Sequence, residues 1–125
     1  MFAVSFDNGA FNVPEGENCI ILVIDSKSKY DSMDEFLDKA FEFMNTDGEF
    51  ADKWEEYYRD RVYTTVSDSD KEFMKNRIDE MNQKVAILHE PVISAVYIVP
   101  PKWNDITLGI ETESDYVFYV WTTSA

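Results

Sequence analysis

The chain has 125 residues, with 25 acidic against 11 basic side chains and nine Phe, seven Tyr and three Trp residues. This length predicts a single domain, 1–125, and the aromatic content excludes intrinsic disorder, because disordered acidic chains lack the residues needed for a core. A net charge of −14 argues against direct binding to nucleic acid or to a membrane surface, since both need clustered Lys and Arg. The electrostatically matched partner is a basic protein.

The N-terminal region and the cysteine content predict the location of the protein. Residues 1–13 have no basic start, and the longest apolar run, 19–24, is too short to cross a bilayer. Cys19 is the only cysteine and lies in that run, which excludes an internal disulfide and predicts a buried, inert thiol. We therefore expect a cytoplasmic, soluble protein.

Two strands are predicted at the start of the chain. Residues 1–6 alternate in polarity, with Phe2, Val4 and Phe6 on one face. Residues 19–24 are continuously apolar and rich in β-branched side chains, which is typical of a central strand covered on both faces.

The first predicted helix is the strongest helical pattern in the sequence. Ser32 and Glu35 form a capping box, in which each can satisfy a backbone donor of the first turn. Apolar residues then recur at full helical spacing. They are Met33, Phe36, Leu37, Ala40, Phe41 and Met44.

Two further helices are predicted downstream. The inner face of the second is indicated by Phe50, Trp54, Tyr57, Tyr58, Arg61 and Val62. The third begins at Ser67 or Ser69, because Ser69 and Glu72 form another capping box, and it ends before Pro91. Its inward residues are Met74, Ile78, Met81, Val85 and Leu88.

Three strands complete the pattern. Residues 92–99 are apolar, residues 106–111 alternate as expected of a half-exposed strand, and residues 116–123 are aromatic and β-branched, with a turn at 112–115. The predicted order is ββαααβββ. This predicts an α+β fold, with a mainly antiparallel sheet and three helices on one face.

The sequence contains no recognisable catalytic, cofactor or metal motif. His89 is the only histidine, and a Cys19–His89 nucleophile pair is disfavoured because burial suppresses the thiolate. Residues 45–48 contain a fragment of a calcium loop, but the required ligand positions fall on Phe43 and Trp54, which cannot coordinate a cation. A cation site formed from scattered carboxylates is an alternative that the sequence leaves open.

The stretch 31–60 carries most of the excess negative charge, with eleven acidic residues against Lys39, Lys53 and Arg59. Acidic residues four apart repel one another along a helix, and these three cations cannot offset them all. The third helix, in contrast, mixes both signs. On the first helix the acids are Asp34, Glu35, Asp38 and Glu42, and on the second they are Glu49, Asp52, Glu55, Glu56 and Asp60.

This asymmetry predicts that the two acidic helices bind a basic protein. Carboxylates four residues apart rise about 6 Å per step, which is comparable with the phosphate spacing of a nucleic-acid strand. Such a surface fits the basic groove of a nuclease, with Trp54 and Tyr58 as candidate anchors. The structural alternative is that the acids only maintain solubility and that these rings, with Tyr57, belong to the core.

The small size, strong acidity and α+β pattern, together with the closing segment 116–125, YVFYVWTTSA, resemble bacterial immunity proteins of polymorphic-toxin and contact-dependent-inhibition systems. The resemblance implies a cytoplasmic, non-catalytic protein that blocks a cognate toxin, often a nuclease. No binding residue is carried over from that family.

Two alternatives remain. A phage-encoded inhibitor of restriction or CRISPR nucleases would use the same acidic surface. A small-ligand binding domain or enzyme would instead have a pocket between sheet and helices, lined by Tyr97, Trp103, Tyr119 and Trp121.

Overall fold

A computed structural model describes residues 1–6, 18–46, 59–84, 86, 88 and 90–123. These residues form an antiparallel sheet of six strands in the order β1-β2-β6-β5-β4-β3, together with two α-helices and a short 3₁₀ helix at Lys27–Lys29. The strands are β1 (Phe2–Phe6), β2 (Asn18–Ser26), β3 (Thr64–Thr65), β4 (Ser94–Tyr97), β5 (Asp105–Glu111) and β6 (Asp115–Thr123). The helices are α1 (Met33–Thr46) and α2 (Asp68–Lys84).

Strand β2 lies inside the sheet, between β1 and β6, as its continuous apolar sequence predicted. Ile20, Leu22 and Ile24 belong to the cluster packed under α2, whereas Val23 belongs to the cluster packed under α1. Successive side chains of a strand point to opposite faces, so both faces of β2 are covered.

The two helices therefore lie on opposite faces of the sheet, and the prediction of helices on one face is wrong. The α1 side contains Phe118 and Val120 of β6, and the α2 side contains Val117, Tyr119 and Trp121 of the same strand. Because the central strands are apolar on both faces, each face needs its own cover.

Strand β5 shows the same arrangement, and its prediction as half-exposed is wrong. Ile106, Leu108 and Ile110 pack under α2, but Thr107 on the other face is also buried. Gly109 makes room for α1, because the Met33 sulfur lies 3.2 Å from where a Cβ atom on Gly109 would be. Thr107 and Gly109, which alternate with the apolar residues, therefore lie on a second face of β5 that is also covered.

The predicted order ββαααβββ is also wrong, since the described residues contain two α-helices. Residues 47–58, which include most of the predicted second helix, lie outside the described residues. Arg61 and Val62, which were predicted on its inner face, are not helical, and they lead into β3. The β-branched and aromatic run 62–65 favours this extended conformation, and β3 pairs with β4 through Thr64 and Tyr97.

The predicted capping box of the first helix is present, whereas the second described helix is capped by Ser67, one of its two predicted starts, and not by the predicted box of Ser69 and Glu72. The Ser32 hydroxyl accepts the Glu35 amide at 3.2 Å, and Glu35 Oε2 accepts the amide of Asp31 at 3.0 Å. Ser67 caps α2 by accepting the Asp70 amide at 3.2 Å, so the helix begins at Asp68.

Helix α2 ends at Lys84, well before Pro91. The side-chain amide of Asn82 then binds the backbone of Leu88 twice, accepting its N–H at 3.1 Å and donating to its carbonyl at 3.0 Å. This contact holds the buried Leu88 against the α2 side of the core. Val85 and His89 lie outside the described residues. No helix in the described part of the chain is long and apolar enough to span a membrane.

Candidate protein-binding surface

The acidic residues predicted on the first helix lie on the solvent side of α1. Asp34, Glu35, Asp38 and Glu42 are exposed, and Asp60 is exposed in the turn before β3. The other predicted partner-binding residues lie outside the described residues. They are Glu49, Asp52, Trp54, Glu55, Glu56 and Tyr58.

Arg61 joins two of these carboxylates. Its Nε and Nη2 atoms donate to Asp34 Oδ1 at 3.0 and 2.8 Å, and Nη2 also donates to Asp38 Oδ1 at 2.7 Å. The guanidinium carbon lies 5.5 Å from the centre of the Phe41 ring, which is buried in the α1 core. Arg61 therefore links the outer face of α1 to the segment that precedes β3.

Tyr63 completes the cluster. Its hydroxyl accepts from Arg61 Nε at 3.2 Å and donates to Asp34 Oδ1 in a short hydrogen bond. We call the surface formed by Asp34, Asp38 and Glu42 with Arg61 and Tyr63 the acidic face.

Contacts within the acidic face set the ionisation states of Asp34 and Tyr63. The hydrogen bonds from Tyr63 and then Arg61 lower the pKa of Asp34. Partial burial and the hydrogen bond to Asp34 raise the pKa of Tyr63 to about 12. The carboxylate is thus charged and the phenol neutral at neutral pH, which is the combination that the hydrogen-bond geometry requires.

The expectation that the α1 carboxylates are uncompensated needs correction. Arg61 was predicted on the inner face of a helix, whereas the structure brings it to Asp34 and Asp38, 27 and 23 residues away along the chain. Glu42 also forms a long ion pair of 3.5 Å with Lys39, and Glu35 is used in capping. Local cations therefore offset part of the charge on this face.

The carboxylates of Asp34 and Asp38 nevertheless lie further out than the Arg61 guanidinium that binds them. The Arg61 side chain is 10% exposed, while Asp34 and Asp38 are 57% and 63% exposed. A partner approaching this face meets two ordered carboxylates before it meets the guanidinium. Beside them is an open cleft of about 310 Å³, lined by Asp38, Phe41, Glu42, Arg59 and Arg61.

Large hydrophobic side chains are exposed directly after Arg61 and in the turn before β5. Val62 and Tyr63 are 60% and 42% exposed, and Trp103, in the turn between β4 and β5, is 72% exposed. Trp103 was predicted to line a pocket, and its exposure was not predicted. Its position after Pro100-Pro101 and before Asn104, in a turn between strands, was the available signal.

The pocket predicted from four rings is not formed. Tyr97, Tyr119 and Trp121 are buried in the α2 core, and Trp103 is exposed elsewhere. Another open cleft, of about 420 Å³, lies between α2 and residues 88–92.

The described residues contain no group of three His, Cys, Asp or Glu side chains that could hold a metal ion. Cys19 is half-buried rather than fully buried.

Comparisons with protein-family models, with curated proteins and with solved structures found no match to this chain.

Proposed function

We propose that this chain is a non-catalytic inhibitor that binds a basic protein through the acidic face. A cognate toxin, in particular a nuclease, is the partner class that fits best, and the chain would act on it in the cytoplasm as an immunity protein. The observation that carries the proposal is the Arg61 cluster, in which a guanidinium lies beneath two exposed carboxylates and holds them in place.

The hydrogen bonds from Arg61 to Asp34 and Asp38, which we call the clamp, reduce the entropic cost of binding without removing the negative charge of the carboxylates. Side chains that are already fixed lose less conformational entropy when a partner binds. Arg61 binds Oδ1 of each carboxylate, and among the described residues no hydrogen bond is made to Asp34 Oδ2 or Asp38 Oδ2, which can therefore bind a cationic side chain of the partner.

The surrounding charge supports a cationic partner. Residues 31–42 contain five acidic side chains against Lys39, and Arg61 adds one positive charge. The segments 7–17 and 47–58, outside the described residues, contain eight acidic residues and one lysine by sequence. Complementary charge of this magnitude speeds encounter with a basic protein and makes the affinity dependent on salt.

The geometry of α1 supports a nuclease as the partner. Asp34, Asp38 and Glu42 are successive i,i+4 positions on a continuous helix. Their backbone positions rise about 6 Å per step, and a groove that tracks a phosphate backbone has cations at similar intervals.

The test begins by capturing partners from the native host on the immobilised chain and purifying the basic protein that is identified. Binding of that protein is then measured at two salt concentrations, and its toxicity is measured in cells with and without this chain. The proposal predicts protection from toxicity. It also predicts that Asp34→Asn, Asp38→Asn and Glu42→Gln together raise Kd and flatten its salt dependence.

The control removes three acids from other surfaces, as Glu72→Gln, Asp79→Asn and Glu113→Gln, all of which are exposed. This variant has the same net charge as the test variant. Because Asp34→Asn and Asp38→Asn remove both charges that Arg61 binds, Glu42→Gln with Asp60→Asn serves as a second test that leaves those hydrogen bonds intact. Equal weakening in test and control variants would show that only total charge matters, and would overturn the assignment of the acidic face.

A further inference from the structure

Trp103 is the most exposed large hydrophobic side chain among the described residues. It is 72% exposed, compared with 63% for Ile93 and 60% for Val62. Exposed aromatic surface is unfavourable in water, and Trp is among the residues most enriched at the energetic centres of protein interfaces.

The turn that carries Trp103 is held in place on both sides. Lys102 and Asp105 exchange two backbone hydrogen bonds, of 2.9 and 3.3 Å, so that Trp103 occupies a closed turn. The Asn104 carbonyl accepts the Thr123 amide at 3.0 Å, which ties the turn to the end of β6. Two prolines, Pro100 and Pro101, precede it and restrict the backbone further. The indole is therefore displayed on an ordered scaffold.

The same turn is connected to the acidic face. At its base, Ile98 is fully buried, and its carbonyl accepts the amide of Val62 at 3.0 Å. Val62 is followed by Tyr63, which binds Asp34. The segment that begins at Arg61 is thus hydrogen-bonded to the strand end from which the chain leads to Trp103, and Val62 and Trp103 are each exposed.

We propose that Trp103 is a hydrophobic anchor for the basic partner of the proposed function. The indole would fill an apolar pocket on the partner that is bordered by the basic side chains facing Asp34 and Asp38. Charged groups around a central aromatic anchor are the usual anatomy of a specific interface. This inference rests on the proposed function and adds a second contact to it.

A protein pocket fits this turn better than a lipid surface does. A membrane with anionic lipids would repel a chain of net charge −14.

The test compares two variants that each remove one exposed hydrophobic side chain, Trp103→Ala and Ile93→Ala. Ile93 lies at the opposite end of β4 and is the matched control. The probe is the purified basic protein captured by the wild-type chain. We expect Trp103→Ala to raise Kd by about thirtyfold or more, as truncation of an anchor does. We expect Ile93→Ala to change Kd by less than about threefold.

Salt dependence separates this inference from the proposed function. Loss of an apolar contact should leave the slope of log Kd against log salt unchanged, whereas neutralising the acidic face should flatten it. If the acidic-face variant loses affinity and Trp103→Ala does not, the anchor is overturned and the proposed function stands. If Trp103→Ala alone loses affinity, the anchor stands and the acidic face is overturned.

A direct readout uses the chain labelled with 5-fluorotryptophan, which carries three fluorine resonances, for Trp54, Trp103 and Trp121. The Trp103 resonance is the one that is missing from the spectrum of Trp103→Phe. It should shift when the basic protein is added to the wild-type chain. An unchanged Trp103 resonance in a saturated complex would overturn the anchor. Because Trp103 is exposed, the melting temperature of Trp103→Ala should stay close to that of wild type, so weaker binding cannot be attributed to unfolding.

Discussion

Asp34 accepts two hydrogen bonds from the guanidinium of Arg61, at 2.8 and 3.0 Å, although 27 residues separate them in sequence. The pair fixes the segment before β3 against the outer face of α1. It is also what orders the carboxylates that we propose as the binding surface.

Replacing Arg61 with Met should therefore destabilise the fold, by about 1 kcal/mol because both carboxylates are exposed and screened. The pKa of Asp34 is lowered from 3.8 in the folded state. The stabilisation from this pair is therefore present above pH 3.8 and is lost as pH falls through the folded pKa. Urea unfolding at pH 7 and pH 3 should show a smaller difference between Arg61→Met and wild type at pH 3.

The control for Arg61 is Lys39→Met, because Lys39 forms an exposed ion pair of 3.5 Å with Glu42 on the same helix. Its effect on the free energy of unfolding should be close to zero. If Arg61→Met and Lys39→Met were equally stable at pH 7, the clamp would have no structural role.

Two tyrosines of the α2 core should respond oppositely to loss of the hydroxyl. Tyr119 is fully buried, and its hydroxyl has no hydrogen-bond partner among the described residues. Tyr119→Phe should leave stability unchanged or raise it by about 1 kcal/mol, since an unpaired buried hydroxyl is unfavourable. Tyr97 instead donates to Asp70 and contacts the Ser67 cap, so Tyr97→Phe should cost about 1 kcal/mol.

Thermal and urea unfolding of the two Tyr→Phe variants check this pair directly. Each variant removes one oxygen from the same side of the sheet, so each serves as the control for the other. A loss of stability in Tyr119→Phe as large as that in Tyr97→Phe would mean that the Tyr119 hydroxyl is satisfied in solution.

Asp25 should stabilise the protein at neutral pH. Burial opposes its ionisation, but hydrogen bonds from Tyr30 at 2.5 Å, Lys29 at 3.0 Å and the Ser26 amide at 2.9 Å outweigh burial. Together they lower its pKa to about 2. Asp25→Asn should therefore cost roughly 2 kcal/mol at pH 7.

Because the folded pKa of Asp25 lies below its ordinary value, its contribution is complete above pH 3.8 and disappears as pH falls through about 2. The difference in unfolding free energy between Asp25→Asn and wild type should shrink over that interval. Asp31→Asn, at an exposed position, is the control and should change little. A difference that is constant with pH would contradict the assigned hydrogen bonds.

Asp105, in contrast to Asp25, should destabilise the protein at neutral pH. Burial raises its pKa, with partial opposition from Lys102, and its Oδ1 atom is buried without a partner among the described residues. The ionised carboxylate is therefore unfavourable in the fold. Its cost is absent below the unfolded pKa and appears as pH rises through the folded pKa.

Asp105→Asn should accordingly raise the melting temperature by a few degrees at pH 7 and have a smaller effect at pH 3.5. The matched control is Glu113→Gln, an exposed acid in the neighbouring turn between β5 and β6. A lower melting temperature for Asp105→Asn at pH 7 would show that the carboxylate has a stabilising partner.

The sequence by itself determined the elements whose signals are local. Helix α1 could be predicted because its cap and its apolar spacing lie within a few turns, and β2 because a short apolar run between polar residues is typical of a buried strand. The exposure of Asp34 and Asp38 followed from the same helical spacing.

Only the tertiary structure decided how those elements are arranged. Both faces of β2 and β6 are apolar enough to need cover, and the spacing within a helix does not say which face of the sheet the helix will cover. The placement of α1 on one face and α2 on the other was therefore not predictable. The partner of Asp34 depends on where the chain returns after many residues, which no local pattern encodes. Trp103 is a similar case, because an aromatic residue in a turn is buried or exposed according to what the rest of the fold brings beside it.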